Sequence, residues 1–161
     1  MFNVGDLAVY PAHGVGIIES IEKRAILGNE QAFYVMKILG NNATIMIPKS
    51  GAVSVGLREV IGKDEVPRIY EILNDKDVVV DKQTWNKRYK EYWEKIKTGS
   101  VYEIAKVVRD LVTLKIDKEL SFGERKMMDT AKNLLVKEIS IAKDCDERIV
   151  EKELNSIFNA S

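Results

Sequence analysis

Residues 53–73 read VSVGLREVIGKDEVPRIYEIL, and within this stretch the spacing of the apolar residues changes. Before about residue 63, short apolar runs alternate with glycine-containing breaks, which is typical of β-strands joined by tight turns. After it, apolar residues recur at the spacing of one face of an α-helix. We therefore predict an α+β, two-domain chain, with a β domain over residues 1–62 and a helical domain over residues 63–161.

The β domain is predicted to contain five short strands, with Gly28-Asn29 and Gly40-Asn41-Asn42 as tight connections between runs. The strands are Leu7–Tyr10, Val15–Ile21, Phe33–Leu39, Thr44–Ile47 and Val53–Val60. In the fourth strand, Ile45 and Ile47 alternate with Thr44 and Met46, so one face is expected to be buried. Five strands in about 60 residues are too few for a two-sheet sandwich, and we expect a small SH3-like or Tudor-like β-barrel.

Start and stop signals divide the second domain into helices. Ser100 and Ser121 are each followed three residues later by glutamate, which is a capping-box pattern. The predicted helices are Glu65–Leu73 capped by Asp64, a helix from Asp81 or Thr84 to Gly99, Val101–Ile116, Phe122–Ala142, and a last helix capped by Asp146 and ending near Phe158. One-sided apolar stripes mark them, so a compact all-α domain is expected.

Composition narrows the class of protein. The chain has 161 residues and a net charge of zero, but residues 82–97 hold six basic and two acidic residues. A local excess of positive charge, rather than the total, attracts a polyanion. No apolar run is long enough to cross a membrane, and the first residues do not resemble a signal peptide. With Cys145 as the single cysteine, a reducing cytoplasm is expected.

The sequence gives little support to an enzyme. It lacks a phosphate-binding loop, and Gly14-Val15-Gly16 does not continue as a dinucleotide fingerprint. His13 is the only histidine and lies in a predicted turn, where a structural role is the simpler interpretation. His13 and Cys145 are too far apart in sequence to suggest a metal site. We expect no cofactor and no metal, and a binding module is the better class.

The segment Lys82–Lys97 interleaves basic and aromatic residues, a combination that suits phosphate contacts and base stacking. The pattern also fits an ordinary buried helix face, because Trp85, Tyr89, Tyr92 and Ile96 share helical spacing. On the pattern alone, burial is the simpler interpretation. Exposure of Trp85 is favoured by its place at the predicted helix start, whereas Trp93 is interpreted as a core residue.

Several runs together resemble the CarD/CdnL family of bacterial transcription regulators, whose N-terminal module is shared with transcription-repair coupling factors. The resemblance covers nearly the whole chain. Its runs are FNVGDLAVYPAHGVG at 2–16, ATIMIP at 43–48, VGLR at 55–58, WNKRYK at 85–90, VVRDL at 107–111 and LSFGERKM at 120–127. The coupling factors carry a motor with a phosphate loop, so the stand-alone regulator is the better match.

The resemblance implies a function. In this family the Tudor-like domain docks on the RNA polymerase β subunit, and the helical domain lies against promoter DNA at the upstream edge of the melted region. It implies polymerase contacts at Arg24 and Met46, where some relatives carry arginine in place of the methionine. It also implies a tryptophan wedge in the minor groove, matched by Trp85. The implied DNA-backbone contacts are Lys87, Arg88, Lys90 and Arg125, with Lys126 beside them.

We therefore expect a non-enzymatic regulator that stabilises the open promoter complex without strong sequence specificity. Its partners would be the polymerase β subunit and promoter DNA, with no membrane. The protein is expected to be a monomer, cytoplasmic and associated with the nucleoid. Two alternatives stay open: an RNA-binding SH3-like module with a helical tail, and a protein-interaction scaffold in which both tryptophans are buried.

Overall fold

The computed structural model of the chain describes residues 2–75, 85–117 and 119–159, without the side chains of residues 85, 86, 116 and 117. Two compact units are present, Met1–Val60 and Ile61–Ser161. The first contains the β-strands and the second the α-helices.

The N-terminal unit is built on an antiparallel sheet with the strand order β1-β2-β3-β4. The strands are β1 (Leu7–Tyr10), β2 (Gly14–Ile26), β3 (Asn29–Ile38) and β4 (Thr44–Pro48). Leu27 and Gly28 connect β2 to β3, both at positive φ (51° and 81°), as a two-residue hairpin turn requires. Between β3 and β4, Asn42 also has positive φ, and the side chain of Asn41 accepts a hydrogen bond from the Ala43 amide. The predicted connection at Gly40-Asn41-Asn42 is confirmed, whereas the first turn lies one residue earlier than predicted, at Leu27-Gly28, because Asn29 already pairs in β3.

One side of this sheet carries the core of the unit. Ile47 is buried and Ile45 half-buried, whereas Thr44 and Met46 are exposed, so the predicted alternation in β4 is confirmed. The buried cluster consists of Ala8, Ile18, Tyr34, Met36, Ile38, Ile47, Ala52 and Leu57. Its last two members follow β4, so the chain after the sheet folds back over the core side.

The prediction of a fifth strand over Val53–Val60 is wrong, and among the described residues the sheet has four strands. A short 3-10 helix over Lys49–Gly51 follows β4, and turns continue through Gly56, which has a φ of +85°. Val53 is 89% exposed, so its apolar side chain does not join a buried face. Only one bridge forms, in which Val9 and Arg58 exchange backbone hydrogen bonds of 2.8 and 3.1 Å. The segment thus touches the edge of β1 without extending the sheet.

The C-terminal unit contains five α-helices within the described ranges. They are α1 (Val66–Leu73), α2 (Trp85–Lys97), α3 (Val101–Asp117), α4 (Phe122–Lys143) and α5 (Glu147–Asn159). The helices predicted after Gly99 are confirmed to within one or two residues. The predicted start of α2 at Asp81 or Thr84 lies outside the described residues. Asp64 does not cap α1, because a 3-10 turn over Lys63–Glu65 leads into that helix.

Helix caps follow the sequence signals. Ser121 and Glu124 form the predicted capping box at the start of α4. Asp146 accepts the amide hydrogen bond of Arg148 at 2.8 Å and so caps α5. Ser100 Oγ lies 3.5 Å from the Glu103 amide that donates to it.

The predicted apolar stripes of α3 and α4 form the core of this unit, with Leu114, Met128 and Leu134 only half-buried. The fully enclosed members are Val107, Val108, Leu111, Ala131, Leu135 and Ile139. None of the helices in the described part of the chain is long and apolar enough to cross a membrane.

Candidate nucleic-acid interface

Helix α2 carries the basic and aromatic segment that the sequence analysis singled out. The buried helix face that the spacing predicts is confirmed at Tyr92 and Ile96, which are buried. Tyr89, which shares that spacing, is 40% exposed. The Tyr92 hydroxyl donates to Asp110 of α3 at 3.4 Å. Burial, and then the nearby Asp110 carboxylate, raise the pKa of the Tyr92 phenol. The phenol therefore stays neutral and anchors α2 to α3.

Trp93 and Tyr89 form an aromatic pair at the rim of α2. The Trp93 indole N–H donates to the Tyr89 hydroxyl at 2.6 Å, and the two rings meet edge to face with centroids 6.2 Å apart. Trp93 is half-buried, so its interpretation as a core residue is only partly right.

Trp85 is the first described residue of α2, and the residues before it, where the helix start is predicted, lie outside the described part of the chain. Its side chain lies outside the described part of the structure. The minor-groove wedge therefore stays a prediction.

Arg88 is the one predicted DNA contact that the structure places inside the protein. It is 7% exposed, and its guanidinium Nη1 lies 3.3 Å from Oε2 of Glu124, which is 2% exposed. Removing either partner of an ion pair at this depth is strongly destabilising. Arg88 pairs with Glu124 inside the helical unit. The expectation that it contacts a DNA phosphate is corrected accordingly.

Glu124 joins the starts of two helices. Its Oε1 accepts the Ser121 amide hydrogen bond of the capping box at 3.0 Å, while Oε2 accepts from Arg88. The first turn of α4 is therefore fixed against the first turn of α2.

Four predicted basic residues do lie on the surface near this junction. They are Lys87 and Lys90 on α2, and Arg125 and Lys126 on α4, all exposed. We call these four residues the basic face. Each of the four lies within two residues of Arg88 or Glu124, so the buried ion pair brings together the two helix segments that carry them.

The two predicted polymerase contacts lie on the N-terminal sheet. Ser20, Val35 and Met46 are cross-strand partners, and Arg24 lies four residues beyond Ser20 on β2. Because paired residues and alternate residues share a face, Arg24 and Met46 lie on the same side of the sheet. We call this side the outer face, because the buried cluster occupies the other; Val35, between Ser20 and Met46, is itself buried. Met46 is 38% exposed, and Arg24 is exposed with an ion pair to Glu22 at 3.1 Å.

Sequence reasoning missed the burial of Arg88, although a signal was available. Arg88, Tyr92 and Ile96 are spaced by four residues, which places them on one helix face. The partner of Arg88 could not be read from the sequence, because Glu124 lies 36 residues away.

Comparison with known proteins bears on both units. The family model for the CarD-like/TRCF RID domain matches residues 2–61, and the model for the CarD C-terminal domain matches residues 68–155. This chain belongs to the CarD family of transcription factors. The family resemblance noted in the sequence is thereby confirmed.

One full-length relative agrees with this CarD-family assignment. The protein named "Putative transcription factor YdeB" of Bacillus subtilis (strain 168) is 39% identical over 158 residues, covering 97% of this chain and 99% of its own. Among solved structures, CdnLNt from Myxococcus xanthus is 51% identical over 38% of this chain and 86% of its own, with a TM-score of 0.33. The 72-residue N-terminal domain of Myxococcus xanthus CarD is 29% identical over 37% of this chain and 79% of its own, with a TM-score of 0.32.

A metal site and a role for the histidine are the other candidate features in the described residues of this CarD-family chain. Among the described residues, no three His, Cys, Asp or Glu side chains cluster in a way that could hold a metal ion. The His13 ring packs at 5.2 Å from the Tyr10 ring, beside the turn that joins β1 to β2. The basic face and the outer face are the two candidate functional surfaces.

Proposed function

We propose that this protein binds the RNA polymerase β subunit through the outer face of its sheet and promoter DNA through its helical unit. Bound at the upstream fork of the melted region, it stabilises the open complex with little sequence specificity. Its place of action would be the cytoplasm, on the nucleoid. Membership of a transcription-factor family supports the general role.

The basic face supports the proposed binding to promoter DNA. Lys87, Lys90, Arg125 and Lys126 are exposed, while the carboxylate of Glu124 in the same region is buried against Arg88. Residues 82–97 also hold six basic and two acidic residues, so the local charge is positive although the whole chain has a net charge of zero. Such a field attracts the phosphate backbone, and phosphate contacts carry no sequence information.

The proposed mechanism is a shift between closed and open promoter DNA. Unstacking a base step costs about a few kcal/mol. A protein that binds the distorted fork more tightly than paired duplex lowers that cost by its difference in affinity. Trp85 is proposed as the wedge, because an indole is large, flat and stiff. Attachment to polymerase supplies a high effective concentration at promoters.

The first test changes the charge of the basic face. We expect Arg125→Ala/Lys126→Ala to weaken binding to forked DNA and to reduce the slope of log affinity against log salt by about 2, because two phosphate contacts are lost. Fluorescence anisotropy over a salt series measures both. The matched control is Lys115→Ala/Lys152→Ala, which removes two exposed lysines of α3 and α5. Equal slopes for both double variants would contradict the proposal.

The second test concerns the outer face. We expect Arg24→Glu to weaken binding to the isolated polymerase β subunit at least about 10-fold, a size reached when a charge at an interface meets a like charge. DNA binding should be unaffected. Lys23→Glu is the matched control, because Lys23 is exposed on the same strand but on the opposite face. Binding measured by biolayer interferometry would count against the assignment if Arg24→Glu and Lys23→Glu behaved alike.

A further inference from the structure

Phe122 is the first residue of α4 and is 75% exposed. A phenylalanine is a large apolar surface, and leaving it in water gives up the free energy that its burial would provide. The start of the helix is capped by Ser121 and Glu124, so the cap does not involve the ring. The buried face of the helix begins with Glu124 and Met127.

The neighbours of Phe122 on its helix face are cations. Arg125 and Lys126 follow at the i+3 and i+4 positions, which are adjacent on a helix surface, and both are exposed. The only carboxylate in this first turn, Glu124, is buried against Arg88. Along the sequence, the nearest exposed carboxylates are Glu119, which precedes the Phe122–Lys126 segment, and Asp129, which follows it. An apolar ring is thus presented together with two positive charges and no exposed negative charge in the same turn.

This combination matches single-stranded nucleic acid better than a protein surface. A base offers a flat apolar face that stacks on an aromatic ring, and its own backbone supplies the phosphates. Stacking is tolerant of sequence, as the proposed function requires. The buried Arg88–Glu124 pair fixes this turn beside the start of α2, where the tryptophan wedge is proposed to act.

We propose that Phe122 is a second aromatic contact with promoter DNA, stacking on an unpaired base at the fork while Arg125 and Lys126 contact the adjoining phosphates. The proposal rests on the proposed DNA-binding function and adds to it a residue that reads the unpaired state of the DNA.

The experiment measures the affinity of the full-length protein for a forked duplex that carries 2-aminopurine in its unpaired arm. We expect Phe122→Ala and Phe122→Leu each to lower the affinity about 10-fold, the order of one lost base stack. The salt slope should stay unchanged, and the change in 2-aminopurine fluorescence should be lost. Phe122→Tyr should keep both, because it keeps the aromatic face. Ile149→Ala, which removes a 49% exposed apolar residue of α5, is the matched control and should have no effect.

The outcomes distinguish the stacking role of Phe122 from the proposed DNA-binding function on which it rests. Unchanged affinity in Phe122→Ala, with weaker binding in Arg125→Ala/Lys126→Ala, would overturn the stacking role and leave DNA binding intact. Full affinity in Phe122→Leu would likewise overturn stacking, since any apolar group would then suffice. A loss of β-subunit binding in Phe122→Ala without a loss of DNA binding would make the ring a protein contact. If the wild-type protein failed to bind forked DNA, both the DNA-binding function and the stacking role of Phe122 would be contradicted.

Discussion

Glu124→Ala is expected to lower the free energy of unfolding of the helical unit by about 3–5 kcal/mol, the usual cost of removing one member of a buried ion pair. The Arg88 guanidinium would keep its charge at 7% exposure without the carboxylate 3.3 Å away. The same change removes the acceptor for the Ser121 amide in the capping box. Urea denaturation followed by far-UV circular dichroism measures the loss.

Two controls bound the interpretation of Glu124→Ala. Glu103→Ala removes the partner of Lys106 in a pair that is about one-third exposed, and it should cost less than about 1 kcal/mol. Arg88→Met/Glu124→Leu removes both buried charges together and should cost much less than the single change, because the desolvation cost of the two charges is removed along with their attraction. A loss below about 1 kcal/mol in Glu124→Ala would show that the pair does not hold the two helix starts together.

Trp85→Ala is expected to remove the preference of the protein for forked DNA over fully paired duplex. Base–aromatic contacts are each worth about 1–3 kcal/mol, so the ratio of the two affinities should fall about 10-fold. Binding to paired duplex should change little, since it depends on the basic face. Competition between forked and paired duplexes of the same sequence measures the ratio directly.

The second tryptophan provides the control for Trp85→Ala. Trp93→Phe keeps an aromatic ring at the half-buried rim of α2 and loses only the 2.6 Å hydrogen bond to Tyr89. It should therefore keep the fork preference. If Trp93→Phe and Trp85→Ala lowered the ratio equally, the wedge would be assigned to the wrong residue, or to neither.

The helical half of the fold was predictable because its signals are local. Ser121 with Glu124, and Asp146 before α5, mark helix starts within a few residues of chain, and the structure uses them as caps. The fifth strand failed for the opposite reason. A strand needs a partner along its length, and Val53–Val60 finds one only where Arg58 meets Val9. A pattern of valines does not reveal whether such a partner exists.

In the candidate site, too, the features with local sequence signals were predictable and the feature that depends on a distant partner was not. The surface positions of Lys87, Lys90, Arg125 and Lys126 follow from helix faces that can be drawn from the sequence. The burial of Arg88 depends on how α2 meets α4, which no single-helix pattern contains. Arg88, which was expected to contact DNA, instead forms a long-range ion pair with Glu124, and this pair links the helices that carry the other basic residues.

The lifetime of the open complex on a weak promoter, measured after a heparin challenge, tests the central proposal most directly. Polymerase saturated with the wild-type protein is expected to hold the promoter open longer than polymerase alone, and polymerase with Trp85→Ala is expected to return most of the way to the shorter lifetime. An unchanged lifetime with wild-type protein that is demonstrably bound to polymerase would contradict the account.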